Sequence, residues 1–133
     1  MKLSTLLKGL SFSGKYTDTP VCDITDKSSE IAPGCVFVCI KGNHFDGHSK
    51  AKEAMASGAA AVVCEYALGL KNQIVVDDSR KAYSKLCAAF YDNPAEKLIL
   101  IGITGTNGKT TTSFLIKNIL DNCNIKAGLI GTV

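Results

Sequence analysis

Apolar, strand-like runs alternate with helical patterns along this chain, and this alternation constrains its fold more than any other feature. Val, Ile, Ala, Leu and Cys predominate in the predicted strands, which cover residues 35–40, 59–64, 73–77, 98–103 and 126–133. Helices are predicted over residues 47–58, 79–93 and 109–123, and a short amphipathic helix at the N-terminus. Strands that alternate with helices predict a largely parallel sheet, so the predicted fold class is α/β.

Capping and turn residues locate the ends of the predicted helices and a domain boundary. Ser49 is the expected cap of the helix over 47–58, and Asp78 or Ser79 is the expected cap of the next one. Pro94 disfavours helix in the residue before it. We therefore predict a small N-terminal α/β domain over residues 1–94. Residues 95–133 are predicted to be the first strand–loop–helix–strand unit of a second, parallel-sheet domain that is cut short.

Composition and charge exclude several classes of protein. The chain has 133 residues and a formal net charge of +3, with no run of Lys or Arg, so no nucleic-acid partner is predicted. No apolar stretch is long enough to span a membrane. The six cysteines form no Cys-x-x-Cys pair and mostly lie in apolar runs, which favours small buried side chains in a reducing cytoplasm over disulfides or a metal site.

A glycine-rich loop, "TGTNGKTT", follows the predicted strand over 98–103 and precedes a helix. Gly105 and Gly108 allow left-handed backbone and a close approach of the backbone to a ligand. The loop's N–H groups and the N-terminus of the helix favour an anion. Lys109 suits terminal phosphates and the Thr110 hydroxyl suits Mg²⁺. Ile103 stands where the usual phosphate-loop pattern has its first glycine, and the alternative is a plain glycine turn with a solvated lysine.

Three segments resemble the Mur ligases of peptidoglycan synthesis. "GITGTNGKTTT" is similar to the ATP loop of that family. "SSEIAPGCVFVCIKGNHFDGH" is similar to its uridine-nucleotide segment, and "AMASGAAAVVCE" to the helix–strand unit that follows. One departure is that the family's Asp-Ser-Arg triplet is Lys27-Ser28-Ser29 here. Within the family, the resemblance is greatest to the ligases that add a diamino acid to a UDP-N-acetylmuramoyl-dipeptide.

The resemblance implies a site on each domain. The residues implied to bind ATP are Gly105, Thr106, Asn107, Gly108, Lys109, Thr110 and Thr111. Among them, Lys109 is implied to be catalytic and Thr110 to be a metal ligand. The implied contacts to the UDP-sugar substrate are Ser28, Asn43, His44 and Phe45. The alternative for the second set is a turn with Phe45 packed inward. His48 is interpreted as a helix-start residue, and Asp77 and Asp78 as capping residues.

The implied reaction is ATP-dependent and Mg²⁺-dependent formation of an amide bond between the UDP-linked dipeptide and L-lysine or meso-diaminopimelate. Two alternatives remain: the related ligase that adds D-alanyl-D-alanine, and a non-catalytic nucleotide-sugar-binding module. A GTPase is less favoured, because no base-reading motif is found. We expect this chain to be an inactive N-terminal part of a cytoplasmic, monomeric enzyme, with residues 95–133 loosely held.

Overall fold

The structure, a computed structural model, describes residues 1–43 and 45–131. The chain divides into two compact units, Met1–Lys97 and Leu98–Val133, and each is described by itself. None of the helices in the described ranges has the length and apolar character that a membrane crossing requires.

The first unit is built on a parallel sheet of four strands. The strands are β1 (Asp23–Thr25), β2 (Cys35–Val38), β3 (Ala61–Cys64) and β4 (Gln73–Val75), and they lie side by side in chain order. All three pairings are parallel, with the last residues of neighbouring strands in or near register, as in the pair of Cys64 with Val75. The predicted parallel α/β architecture is therefore confirmed in this unit.

Helices cover both faces of the sheet. The helices of the first unit are α1 (Leu3–Leu6), α2 (Ala51–Ala56) and α3 (Ser79–Phe90), with 3₁₀ turns at Ser28–Glu30, Gly47–Lys50 and Pro94–Lys97. Inward-facing residues of β2 alternate between two apolar clusters: Val36 and Val38 pack with residues of α1 and α3, and Cys35 and Phe37 pack with residues of α2. Phe37 is fully buried. Each such side chain contributes about 1.5–3 kcal/mol to folding, so this two-sided core explains why the strands read as continuous apolar runs.

An N-terminal segment pairs with the outer side of β4. Ser13 and Val75 exchange two backbone hydrogen bonds, of 2.9 and 2.8 Å, in an antiparallel bridge. Gly14 has φ +116°, and a Cβ there would lie 2.4 Å from the carbonyl oxygen of Gln73. Only glycine fits this position, because both the backbone conformation and the close approach exclude a side chain.

The second unit departs from the prediction. Helix α4 (Lys109–Asn122) is present as predicted, but the described residues contain no strand over 98–103 or 126–131. A strand forms only when a neighbour completes its backbone hydrogen bonds, and the described part of this unit supplies no such neighbour. Ile99 is accordingly 95% exposed. The two strand predictions were wrong for the described residues, although their apolar character is real.

Smaller differences concern β1 and one cap. β1 was not predicted, since Asp23 and Thr25 give it no apolar run. The helix cap before α2 is Asp46 rather than Ser49: the Asp46 carboxylate accepts the His48 N–H at 3.0 Å, and Ser49 donates its hydroxyl hydrogen to the Asp46 carbonyl. Asp46 was overlooked because the predicted helix begins as a 3₁₀ turn over Gly47–Lys50, which precedes the apolar residues of α2.

Three of the six cysteines lie in the core, as predicted. Cys35, Cys39 and Cys64 are buried, and burial raises the pKa of each thiol, that of Cys39 to about 12. Protonated thiols of this kind behave as small apolar side chains. Cys22 and Cys123 differ, because both are exposed.

Candidate functional site

The carboxyl ends of the four parallel strands meet at one edge of the first unit, which we call the carboxyl edge. Ser28 follows β1, Asn43 and Phe45 follow β2, Glu65 follows β3, and Ser79 follows β4. Open parallel sheets place ligands at this edge. Three of the four residues implied to contact the UDP-sugar therefore lie on loops at the same edge, and the fourth, His44, lies outside the described residues.

The turn that carries Ser28 is fixed by its neighbours. The Thr25 hydroxyl donates to a Glu30 carboxylate oxygen at 3.2 Å and accepts the Lys27 N–H at 3.1 Å. The Lys27 ammonium bonds the other Glu30 oxygen at 2.9 Å and lowers the pKa of that carboxyl. Lys27 stands where the family pattern has an acid. Through its bond to Glu30 it stabilises the turn that carries Ser28.

The described residues of the 41–46 loop, 41–43 and 45–46, follow β2 and are mostly exposed. The ends of the loop are joined by an antiparallel bridge between Lys41 and Asp46, and Gly42 donates its N–H to the Phe45 carbonyl at 2.8 Å. Phe45 is 51% exposed, so the alternative in which it packs inward was wrong. Gly47 lets the loop return closely to β2, since a Cβ there would lie 2.9 Å from the Ile40 nitrogen.

A buried histidine lies beneath this loop. His48 is 6% exposed, and its Nδ1 lies 2.6 Å from Asp46 Oδ1. Its Nε2 accepts the Glu65 N–H at 3.0 Å, and its ring stacks on Tyr66 with centroids 4.5 Å apart. The backbone N–H is a fixed donor, so Nε2 is the acceptor and Nδ1 carries the hydrogen that Asp46 accepts. His48 does begin a helical turn, as interpreted from the sequence, but it also joins two loops of the carboxyl edge.

The start of α3 is tied to the same edge. Glu65 Oε1 accepts the Ser79 N–H at 2.9 Å and the Ser79 hydroxyl at 2.8 Å. Asp78 caps the helix by accepting the Lys81 N–H at 2.9 Å, which confirms its interpretation as a capping residue. Arg80 donates to the Lys41 carbonyl at 3.1 Å, so α3 also holds the base of the 41–46 loop.

These carboxylates predict a loss of stability in acid. Hydrogen bonds from Ser79 lower the pKa of Glu65, and those from His48 lower the pKa of Asp46. A depressed native pKa stabilises the fold above the unfolded pKa, and that stability is lost as the pH falls through the native pKa. The free energy of unfolding should therefore fall as the pH drops below about 4. Urea denaturation of Glu65→Gln should show a smaller acid-induced decrease than the parent chain; an equal decrease would contradict the assignment.

The glycine-rich loop lies in the second unit. Gly105 and Gly108 have φ +149° and +74°, which confirms the predicted need for glycine. Gly108 is the N-cap of α4, and the Lys109 ammonium folds back to the Gly105 carbonyl at 2.6 Å. Thr112 donates its N–H to Gly108 at 2.9 Å, which leaves the N–H groups of the preceding turn without intrahelical acceptors. Such a turn is suited to an anion.

Comparison with known proteins identifies the family. The profile described as "Mur ligase family, catalytic domain" matches residues 23–91. The chain belongs to the Mur ligase family. The match contains the whole carboxyl edge and ends before the glycine-rich loop begins. The profile match therefore rests on the first unit. Individual relatives also align with the rest of the chain.

Relatives of known name align with nearly the whole chain. A UDP-N-acetylmuramoyl-L-alanyl-D-glutamate–2,6-diaminopimelate ligase of Geobacillus kaustophilus is 46% identical over 136 aligned residues, which cover 100% of this chain and 28% of that ligase. The ligase of the same name from Aquifex aeolicus is 47% identical, with 98% of this chain and 26% of that ligase covered. The chain thus spans little more than a quarter of the length of these Mur ligases.

Solved structures of Mur ligases share the fold. A crystal structure of MurF from Acinetobacter baumannii superposes with a TM-score of 0.66 at 27% identity, over 90% of this chain and 27% of that one. MurF ligase from Thermotoga maritima in complex with ADP gives a TM-score of 0.56 at 32% identity, over 75% and 23%.

Sequence reasoning missed the groups that hold the carboxyl edge together. Glu65 and Arg80 were not singled out, Ser79 was considered only as an alternative helix cap, and His48 was interpreted only as a helix start. Two signals were available: a carboxylate directly after the apolar run over 59–64, and a histidine directly after the Asp-Gly turn. Neither signal identifies the partner, which lies 14 to 17 residues away in the chain for the bonds to Glu65.

Proposed function

We propose that this chain is the UDP-sugar-binding and phosphate-binding part of a Mur ligase that adds a diamino acid to UDP-N-acetylmuramoyl-L-alanyl-D-glutamate. The observation that carries the proposal is the 46–47% identity, over almost the whole chain, to ligases named for that reaction with 2,6-diaminopimelate. The whole protein uses ATP and Mg²⁺.

The reaction has two steps. A carboxylate oxygen of the dipeptide attacks the γ-phosphorus of ATP, which gives an acyl phosphate and ADP. The amine of the diamino acid then attacks the acyl carbon, phosphate leaves, and the nitrogen loses a proton as the amide forms. Charge on the transferred phosphoryl group is the main obstacle in the first step, and positioned cations and N–H donors offset it.

The second unit offers the groups that this step needs. Lys109 places its ammonium on the loop backbone, and its present partner, the neutral Gly105 carbonyl, is one that a phosphate oxygen can replace. Thr110 supplies a single hydroxyl oxygen. The residues that the structure describes include no cluster of three or more His, Cys, Asp or Glu side chains suited to a metal. This donor set fits Mg²⁺ bound mainly through phosphates and water, and the ion would supply charge neutralisation there.

The first unit offers a place for the uridine diphosphate end. Ser28, Asn43 and Phe45 provide a hydroxyl, an amide and an exposed aromatic ring at one edge, and Lys41 and Arg80 are exposed cations beside them. A diphosphate needs such donors, and a uracil ring can stack on an aromatic side chain. Holding the distant UDP end positions the reacting carboxylate and lowers the entropic cost of reaction.

Ser28→Ala tests this assignment in the whole protein. We expect weaker binding of the UDP-sugar substrate, by about fivefold to tenfold for one lost hydrogen bond, and unchanged binding of ATP. Isothermal titration with each ligand measures both affinities. Ser29→Ala, which removes an exposed hydroxyl from the same turn, is the control and should bind both ligands normally. Equal weakening of both ligands by Ser28→Ala would contradict the assignment.

A second candidate is the ligase that adds D-alanyl-D-alanine, because MurF structures superpose on this chain. The identity to MurF is 27–32%, against 46–47% to the diaminopimelate ligases, so we favour the latter. Assays of the whole protein with UDP-linked dipeptide and UDP-linked tripeptide separate the two. A non-catalytic module would bind the UDP-sugar without any turnover.

A further inference from the structure

We propose that His48 is a positioning residue that fixes the 41–46 loop for binding of the UDP-sugar. The inference rests on the proposed function of this loop. It concerns a residue that is buried beneath the carboxyl edge and has no access to a ligand itself.

The geometry shows a link with two distinct ends. On one side the Nδ1 hydrogen of His48 reaches Asp46, the last residue of the loop, at 2.6 Å. On the other side Nε2 accepts the N–H of Glu65, the first residue after β3, at 3.0 Å. β3 lies in the middle of the sheet, so His48 transmits the rigidity of the core to the loop end.

Further hydrogen bonds connect Glu65 to α3, and α3 to the first residue of the loop. Glu65 accepts both the N–H and the hydroxyl of Ser79, and the adjacent Arg80 donates to the carbonyl of Lys41, the first residue of the loop. One loop end is thus held through His48 and the other through Arg80. With both ends fixed, the exposed residues of the loop can meet a ligand without a large loss of conformational entropy.

The two nitrogens can be separated by substitution. The amide nitrogen of asparagine can occupy the place of Nδ1, so His48→Asn keeps the donor to Asp46 and loses the acceptor for Glu65. The amide oxygen of glutamine can occupy the place of Nε2, so His48→Gln keeps the acceptor for Glu65 and loses the donor to Asp46. Because the two bonds act in series between the core and the loop end, positioning of the loop by His48 requires both of them.

The test uses steady-state kinetics of the whole protein and titration with UDP-N-acetylmuramoyl-L-alanyl-D-glutamate. We expect His48→Gln to raise the KM for this substrate about tenfold, with the KM for ATP and kcat within twofold of the parent. His48→Asn, which loses the bond to Glu65, should raise the same KM to a similar extent, again with the KM for ATP and kcat within twofold of the parent. An unchanged substrate KM in either variant, or a parallel rise in the ATP KM, would overturn the proposal.

A control at the opposite edge separates positioning from general destabilisation. Asn72 donates to the Ala60 carbonyl at 3.1 Å and accepts the Thr17 N–H at 3.2 Å, before β3 and β4 begin. Asn72→Ala should lower the melting temperature as His48→Gln does, and leave the substrate KM unchanged. A raised KM in the control would also overturn the proposal. If the parent protein neither binds nor turns over the UDP-sugar, the proposed function fails instead.

Discussion

Replacing Lys109 by alanine is expected to lower ATP-dependent turnover of the whole protein by on the order of 10²–10³-fold, the usual effect of removing one positioned donor to a developing charge. Lys109 begins α4, and its ammonium lies over the glycine-rich loop on the Gly105 carbonyl. On the proposed function, its loss should remove a cation that offsets charge on the transferred phosphoryl group. Phosphate release or amide formation, followed at saturating substrate, measures the loss.

Lys117 provides the matched control on the same helix. Its ammonium bonds Asp121 at 2.5 Å in an i,i+4 pair on the surface. Such pairs contribute about 0.3–0.5 kcal/mol, so Lys117→Ala should retain turnover within twofold. Near-parent turnover of Lys109→Ala, or an equal loss in both variants, would refute the role of Lys109.

Phe37→Ala is expected to lower the free energy of unfolding of the first unit by about 3–5 kcal/mol. Phe37 is fully buried in the cluster between the sheet and α2, and truncation leaves a cavity there. Domains of this size have a total stability of about 5–15 kcal/mol, so much of it would be lost. Urea denaturation followed by circular dichroism measures the change.

Phe45→Ala is the paired control, because it removes the same side chain from an exposed loop. Its unfolding free energy should stay within about 0.5 kcal/mol of the parent value. The same variant should bind the UDP-sugar more weakly if the ring stacks on uracil. A small effect of Phe37→Ala, comparable with that of Phe45→Ala, would mean that the sheet and α2 are not packed as described.

The central strands were predictable because both of their faces are buried. A strand covered on both sides must be apolar at every residue, and the runs over 35–40 and 59–64 have this property, whereas the run over 73–77, which forms an outer strand, is apolar only over 74–76. β1 was not predictable in this way, since it is short and polar and exists only because β2 offers it a free edge. The run over 98–103 is apolar and favours a strand, but no strand forms there, because no other segment among the described residues pairs with it.

The location of the candidate site was predictable only in part. The strand over 35–40 was predicted and places the 41–46 loop at the carboxyl edge, whereas β1 was not predicted, so Ser28 was assigned to the same site only through the family resemblance. The bonds from His48 to Glu65 and from Arg80 to Lys41 join residues 17 and 39 positions apart. Such contacts depend on the three-dimensional packing of loops, which hydrophobic periodicity does not encode. The binding roles of these residues remain predictions.

The pairing of Ser13 with Val75 covers part of the outer edge of β4, and this should disfavour self-association through that edge. β4 is an outer strand, and its unpaired N–H and C=O groups would otherwise form a template for a strand of another molecule. A chain shortened past Gly14 would lose this cover even though every predicted core strand stayed intact. The same feature limits substitution, because Gly14 accepts no side chain. Shortened versions of this unit should therefore keep the whole N-terminal segment, because α1 also packs in the core.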